Sequence, residues 1–333
     1  AAAERVDGRR VLLNRVARIQ EELIEDGDAA IETWRRLLGD NPEDGEAMDE
    51  LERLLASNER HGEVAELYEH RRNLASSPEA QAELDFRLAR VYESQLSDGE
   101  QSLALYRKVL AVIPDHGGAR AALAALFSDP AAAESAGLDT LAVARVLEPI
   151  YRADGDFGRL VPVLESMQQS ADHDPDEQAK ALAEIARIQE TELSLPNGAL
   201  ETRGRILALN PNDQSNRSDL VRLAEATDTF AAVAALLSEA AADTTDPDLK
   251  VSLCLELGTV YEERLRDDRN ARTVYSEILT IEPEHSGAID ALVALLTRVG
   301  AWEDLVSLYG DLASNASDPE RQKAYLFRSC PLL

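Results

Sequence analysis

Lysine is scarce in this sequence: only four of the 34 basic residues are lysine (Lys108, Lys180, Lys250 and Lys323). Basic charge as a whole is also short, since 63 acidic residues bring the formal net charge to −29. Nucleic acid and anionic lipid both need basic surface to displace counterions, so the expected partner is neither nucleic acid nor membrane. A cationic partner is allowed but not required. Acid excess with so little lysine fits either adaptation to a salty medium or a GC-rich coding bias. Cysteine is nearly absent as well. Cys254 and Cys330 lie far apart, with no C-x-x-C or Cys/His spacing near either, so neither a disulfide framework nor a zinc site is indicated. Cys254 falls within "LKVSLCLELGTVY", where it reads as a small buried hydrophobe. No run of 18 apolar residues exists, so no segment reads as a membrane span. The start "AAAERVDGRR" lacks an initiator Met and a signal-type apolar stretch and reads as a processed or truncated end that leaves the compartment undetermined, with the cytoplasm favoured by the lack of a signal or membrane segment in the given residues.

Chemistry-bearing motifs are missing too. No G-x-x-x-x-G-K-[ST], G-x-G-x-x-G, G-x-S-x-G or H-E-x-x-H occurs, so no cofactor, catalytic residue or metal ligand is expected. The five histidines do not supply one. His116 and His285 each stand two residues after a proline and read as helix-start residues, while His61 aligns with Phe157, Phe230 and Trp302 as a packing residue. His70 and His173 lie in polar surroundings. Aromatics are 5% of the chain, and Ala and Leu dominate its apolar part, which points to helices packed through small residues.

What is present is repetition. "ETWRRLLGDNPEDGEA" at 32–47 returns as "ALYRKVLAVIPDHGGA" at 104–119, "ETRGRILALNPNDQSN" at 201–216 and "TVYSEILTIEPEHSGA" at 273–288. The turn prolines Pro42, Pro114, Pro211 and Pro283 are spaced by 72, 97 and 72 residues. Gln20, Tyr92, Gln189 and Tyr261, each followed by Glu, share that spacing. Ser77-Pro78, Asp174-Pro175, Asp246-Pro247 and Asp318-Pro319 supply helix starts in the same register, a capping side chain before a first-turn proline. The spacing predicts units over 5–76, 77–173, 174–245 and 246–317, with a partial fifth over 318–333. Each unit holds two helical hairpins. In the last complete unit apolar periodicity places helices at about 247–265, 269–281, 284–297 and 302–314, with core positions that include Leu257, Tyr261, Tyr275, Leu279, Leu292, Trp302 and Leu305. The apolar surface of a single unit cannot offset the cost of ordering it, so the units must stack.

These residues resemble the tetratricopeptide repeat (TPR) family. The first hairpins carry its pattern of large, small, aromatic, small, aromatic and proline as Leu257, Gly258, Tyr261, Ala271, Tyr275, Pro283 and as Leu88, Ala89, Tyr92, Ser102, Tyr106, Pro114. Weaker copies are Val16, Ala17, Gln20, Ala30, Trp34, Pro42 and Ile185, Ala186, Gln189, Ala199, Arg203, Pro211. Two departures stand out: one extra residue lies between the paired helices, and Leu37, Val109, Ile206 or Ile278 replaces a small residue. The resemblance implies an all-α fold, an α-α superhelix or TPR-like solenoid of antiparallel helix hairpins covering residues 1–333. The carboxylate clamp of family members that hold chaperone tails is not reproduced at Val11, Asn14, Arg18 and Glu83, Phe86, Arg90.

The longer 97-residue interval places about 25 extra residues at 128–156. Asp129-Pro130 and Asp139 read there as helix starts, and Leu138, Leu141, Val146, Leu147 and Ile150 form an apolar stripe cut short by Pro149. The insertion reads as a lengthened connection packed on the array, with a docking feature as the alternative. No strongly polar capping helix closes either end, so the array is expected to continue or to be covered by another chain.

The best functional candidates lie on the first helix of each unit. Arg18 and Glu21, Arg90 and Glu93, Arg187 and Glu190 recur three residues apart, and Glu262 keeps the acidic half. The resemblance places this helix along a groove, where these residues would form a charged ladder for an extended peptide. Local helix-surface pairing is the simpler reading of the same spacing. Together these readings describe a non-enzymatic scaffold for a protein or peptide partner, part of a longer repeat protein. The alternative is a subunit that self-assembles through its uncapped ends into filaments or rings.

Overall fold

A computed structural model describes the backbone of residues 2–169 and 174–329 and side chains from residue 8 onward. Cys330 and His173 lie outside the described residues. Nineteen α-helices and no strand occur among those residues, and the fold is all-α and TPR-like. Packing divides the chain into two compact units, residues 1–167 and 168–333.

The first compact unit contains α1 Ala2–Glu22, α2 Gly27–Asp40, α3 Gly45–Ser57, α4 His61–Leu74, α5 Pro78–Val91, α6 Gly99–Val112, α7 Gly117–Ser128, α8 Pro130–Ser135 and α9 Thr140–Asp154. Helix α10, Phe157–Gln169, carries the boundary. The second contains α11 Pro175–Thr191, α12 Pro196–Leu209, α13 Gln214–Thr227, α14 Phe230–Asp243, α15 Pro247–Thr259, α16 Asp268–Ile281, α17 Ser286–Val299, α18 Trp302–Asn315 and α19 Pro319–Ser329. Inside each unit most successive helices pack on one another as hairpins.

The small repeat positions explain how closely the paired helices approach. Ala17, Ala89 and Ala186 on the first helices, and Ala30, Ser102, Ala199 and Ala271 on the second, are all essentially inaccessible. Large partners close over them: Trp34, Tyr106 and Tyr275 are buried, and so are Leu37, Val109, Ile206 and Ile278 at the position where the resemblance called for a small residue. At the fourth aromatic position Arg203 takes the ring's place and pairs with Asp219 at 2.8 Å.

The extra residue between paired helices has a structural cause. After α1, α5, α11 and α15 the chain makes a wide turn in which Asp26, Asp98, Leu195 and Asp267 donate their backbone N–H to Gln20, Tyr92, Gln189 and Tyr261, six residues back, at 2.9, 2.9, 2.7 and 2.8 Å. One residue in each turn, Glu25, Ser97, Ser194 or Arg266, takes a left-handed backbone with φ between 50° and 59°. The orphan carbonyls at the helix end are thereby satisfied, which offsets the cost of a left-handed non-glycine residue. After α5 and α15 the widened turn is π-helical, over Tyr92–Leu96 and Val260–Arg264.

Helix starts follow the sequence reading. Ser77, Asp246 and Asp318 accept backbone hydrogen bonds from Ala80, Asp248 and Glu320 at 3.1, 3.0 and 3.0 Å, ahead of their prolines. His116 and His285 cap α7 and α17, each accepting at Nδ1 from the backbone N–H three residues on, at 3.0 and 3.1 Å. Asp44 and Asp213 do the same for α3 and α13. Cys254 is buried in the core of the second unit, and burial pushes its thiol pKa up.

Two expectations need correction. Pro149 does not cut the apolar stripe, because α9 runs through it to Asp154. The acceptor freed by the proline is the carbonyl of Arg145 on the exposed face, while Val146, Leu147 and Tyr151 hold the helix from the buried side. Trp302 is not a core residue: it opens α18 and is 48% exposed, whereas Leu305, one turn further on, is buried. His61, Phe157 and Phe230 open their helices in the same way and are half-buried. The insertion at 128–156 forms α8 and α9, with α9 packed on α7.

Candidate functional site

In the first unit α1, α3, α5 and α7 form a row, in which ion pairs join α1 to α3, His116 joins α7 to α5, and α3 and α5 line one hollow. Arg10 Nε lies 2.6 Å from the buried carboxylate of Asp44, Arg18 reaches Glu46 at 3.2 Å, and Arg53 of α3 reaches back to Glu21 at 2.6 Å. Between α5 and α7, His116 Nε2 lies 3.3 Å from Glu83 and its ring stands 4.7 Å from that of Phe86. The second unit holds α11, α13, α15 and α17 likewise. Arg222 reaches Glu190 at 2.9 Å, buried Arg217 reaches Glu256 at 3.0 Å, and Arg298 reaches Glu262 at 3.2 Å.

These contacts divide the candidate ladder in two. Its glutamates are taken up within the fold. Glu21, Glu190 and Glu262 each bind an arginine of the next helix in the row, and Glu93 binds Arg90 at 2.6 Å and accepts from the buried Tyr106 hydroxyl. The Arg222 guanidinium holds the Glu190 carboxyl below its ordinary pKa. Tyr275 donates to Glu262 at 3.2 Å, and burial raises its pKa to about 12. The arginines stay at the surface: Arg18, Arg90 and Arg187 expose 54%, 48% and 56% of their side chains. Of the three pairs spaced by three residues, only Arg90 and Glu93 bond to each other. Arg18 turns to Glu46, and Arg187 lies 3.7 Å from Glu192.

Two hollows in the first unit lie beside these arginines. One, of about 500 Å³, is lined by Val11, Asn14, Arg15, Arg18 and Glu22 of α1 with Glu46 across from them. The other, of about 600 Å³, is lined by Phe86, Arg87 and Arg90 of α5, with Ser94 beyond it and Glu52 and Tyr68 opposite. Their linings share one register, since Asn14, Arg15, Arg18 and Glu22 stand 72 residues before Phe86, Arg87, Arg90 and Ser94. Arg15 and Arg87 were missed in the sequence, although their 72-residue spacing marks them as plainly as that of Arg18 and Arg90. The same positions of the second unit hold Glu184, Arg187, Glu256 and Thr259, so the arginine pair belongs to the first unit. No group of three or more His, Cys, Asp or Glu side chains placed to hold a metal occurs among the described residues, and no described helix is long and apolar enough to cross a membrane.

No protein-family model and no curated protein matches the chain. Among solved structures it is similar to a MamA protein at 17% identity, over 52% of this chain and 90% of that one, with a TM-score of 0.30. It is similar to YrrB, described as a TPR protein with an unusual peptide-binding site, at 15% identity, over 63% and 91% of the two chains, with a TM-score of 0.25. It is also similar to human IFIT1, solved as a dimer with PPP-AAAA, at 17% identity, over 98% and 94%, with a TM-score of 0.33. At such scores these likenesses carry no argument about partner or chemistry, and the hairpin architecture rests on the hydrogen bonding and packing of the chain itself.

Proposed function

We propose that the chain is a non-enzymatic interaction scaffold whose first compact unit takes an extended acidic protein segment along α1 and α5. One observation carries this reading. In a chain of net charge −29, two hollows in the same repeat register each present two arginines, Arg15 and Arg18 beside Glu22 and Glu46 in one, and Arg87 and Arg90 beside Glu52 and Glu59 in the other. Arginine's planar fork suits carboxylates, and its charge stays fixed at any physiological pH. Phe86 and Val11 add apolar contact beside the charges. Arg187, Glu190 and Glu262 of the notional ladder sit in the second unit, where Glu184 and Glu256 stand in the places of Arg15 and Arg87. Arg18 and Arg90 are therefore the contact residues, while Glu21 and Glu93 orient the surrounding helices.

Fluorescence anisotropy with a labelled poly-glutamate peptide tests this, beside poly-lysine and a single-stranded oligonucleotide. The account expects poly-glutamate to bind, to weaken as salt screens the charges, and to lose on the order of tenfold in affinity in the Arg18→Ala, Arg90→Ala double variant. Preference for poly-lysine or the oligonucleotide, or binding indifferent to the two arginines, contradicts it.

A further inference from the structure

Helices α12 and α14 pack on each other in the second unit, and between their C-terminal halves lies a hollow of about 240 Å³. Leu207, Pro211, Leu236 and Ala240 give it apolar walls, and Glu239 and Asp243 stand at its edge. Gly204 shapes it, because a Cβ there would come within 2.9 Å of Leu236 Cδ1. The space suits one long side chain rather than a helix.

Both charged residues that line the hollow are acidic. Glu239 and Asp243 are exposed, one turn apart on α14, and neither has an ion-pair or hydrogen-bond partner among the described residues. The two helices end beside the hollow, at Leu209 and Asp243, and neither carries a basic residue in its last turn. A helix C-terminus bears partial negative charge, so two helix ends and two carboxylates act in the same place.

Elsewhere the chain supplies its own cation between helices of this kind. Arg35 of α2 pairs with Glu63 of α4, and Arg272 of α16 pairs with Asp304 of α18. In the repeat register Glu63 and Asp304 both correspond to Ala232, while Arg35 and Arg272 correspond to Gly204 and Leu200, so α12 and α14 lack both halves of that bridge. The acidic pair is also peculiar to α14. Glu239 and Asp243 correspond to His70 and Leu74 in α4, and to Asp311 and Asn315 in α18.

We propose that this hollow receives an arginine side chain of a partner protein, its stem against Leu207 and Leu236 and its guanidinium at Glu239 and Asp243. Arginine suits the place better than lysine, because its planar fork can bond two carboxylates at once and its weakly hydrated head tolerates an apolar wall.

Fluorescence anisotropy with the full chain tests the proposal. The probe is a peptide with blocked ends and a neutral dye, whose one charge is an arginine between two leucines, and its counterpart carries citrulline in place of the arginine. The arginine peptide should bind on the order of tenfold more tightly than the citrulline peptide. That advantage should vanish in the Glu239→Gln, Asp243→Asn double variant and survive in Glu303→Gln, Asp311→Asn, which removes the same charge from α18. Ala208→Phe, which fills the hollow from an exposed lining position without changing charge, should weaken the arginine peptide by a similar factor. These positions are exposed, so all three variants should keep their helical circular dichroism. Binding should be unchanged in the Arg18→Ala, Arg90→Ala variant, which separates this site from the one on α1 and α5. Absence of binding, equal binding of both peptides, equal loss in the two charge variants, or no loss in Ala208→Phe would each overturn the proposal.

Discussion

His285 caps α17 through Nδ1, in the place where Asp44 and Asp213 cap α3 and α13. The cap needs an acceptor at one point and nothing else of the imidazole. His285→Ala should thus lower unfolding free energy by about 1 kcal/mol in urea titrations, and His285→Asp should leave most of it in place. Equal losses in both variants would show that the ring packs rather than caps. Tyr275 sets an alkaline limit. Burial first, and then the Glu262 charge, raise its pKa from 10.0 to about 12, so the folded chain holds the neutral phenol where the unfolded chain ionises. Its contribution is complete below pH 10 and is lost as pH climbs towards 12, so Tyr275→Phe should flatten the fall in stability across that window. An unchanged alkaline limb in that variant would remove the account of the ring. The histidine caps were legible because two copies occupy one repeat slot. The left-handed residues were visible only as an extra residue, since Glu25, Ser97, Ser194 and Arg266 share no chemistry that announces φ > 0.

The insertion shows how an added element is fastened. At Gly99, the first residue of α6, an added Cβ would stand 2.4 Å from the backbone oxygen of Gly137 and 2.6 Å from Leu138 Cγ. The turn between α8 and α9 therefore rests directly on the start of α6. Gly99→Ala must push that turn away, and overpacking of this kind costs about 1–3 kcal/mol. The loss should appear in denaturant titrations together with faster proteolysis within 128–156, and a variant as stable and as resistant as the parent would refute the contact. Both helix starts in the insertion, Asp129 and Asp139, could be read from the sequence because capping is local. The passage of α9 through Pro149 could not, because packing from Val146, Leu147 and Tyr151 outweighs a local breaker. Trp302 misled for the converse reason: its size suggested burial, but the first position of a helix leaves one side open.

At the scale of the chain, repetition made the fold readable, since three landmarks with one spacing fix where helices pair. The candidate site was half readable. The recurring arginines and glutamates were found, but charge pattern alone did not show that Glu21, Glu190 and Glu262 are bound to arginines some 30 residues away, nor that Arg15 and Arg87 share the hollows with Arg18 and Arg90. What distinguishes the two compact units is the arginine pair on the first helices, Arg15 with Arg18 and Arg87 with Arg90, where the second unit has Glu184 with Arg187 and Glu256 with Thr259. Hydrogen exchange read by mass spectrometry, with and without saturating poly-glutamate, measures this difference directly. Slowed exchange over residues 8–24 and 84–97, with little change over 181–193 and 253–266, is the predicted footprint. Protection confined to the second unit, or spread equally over both, would contradict it.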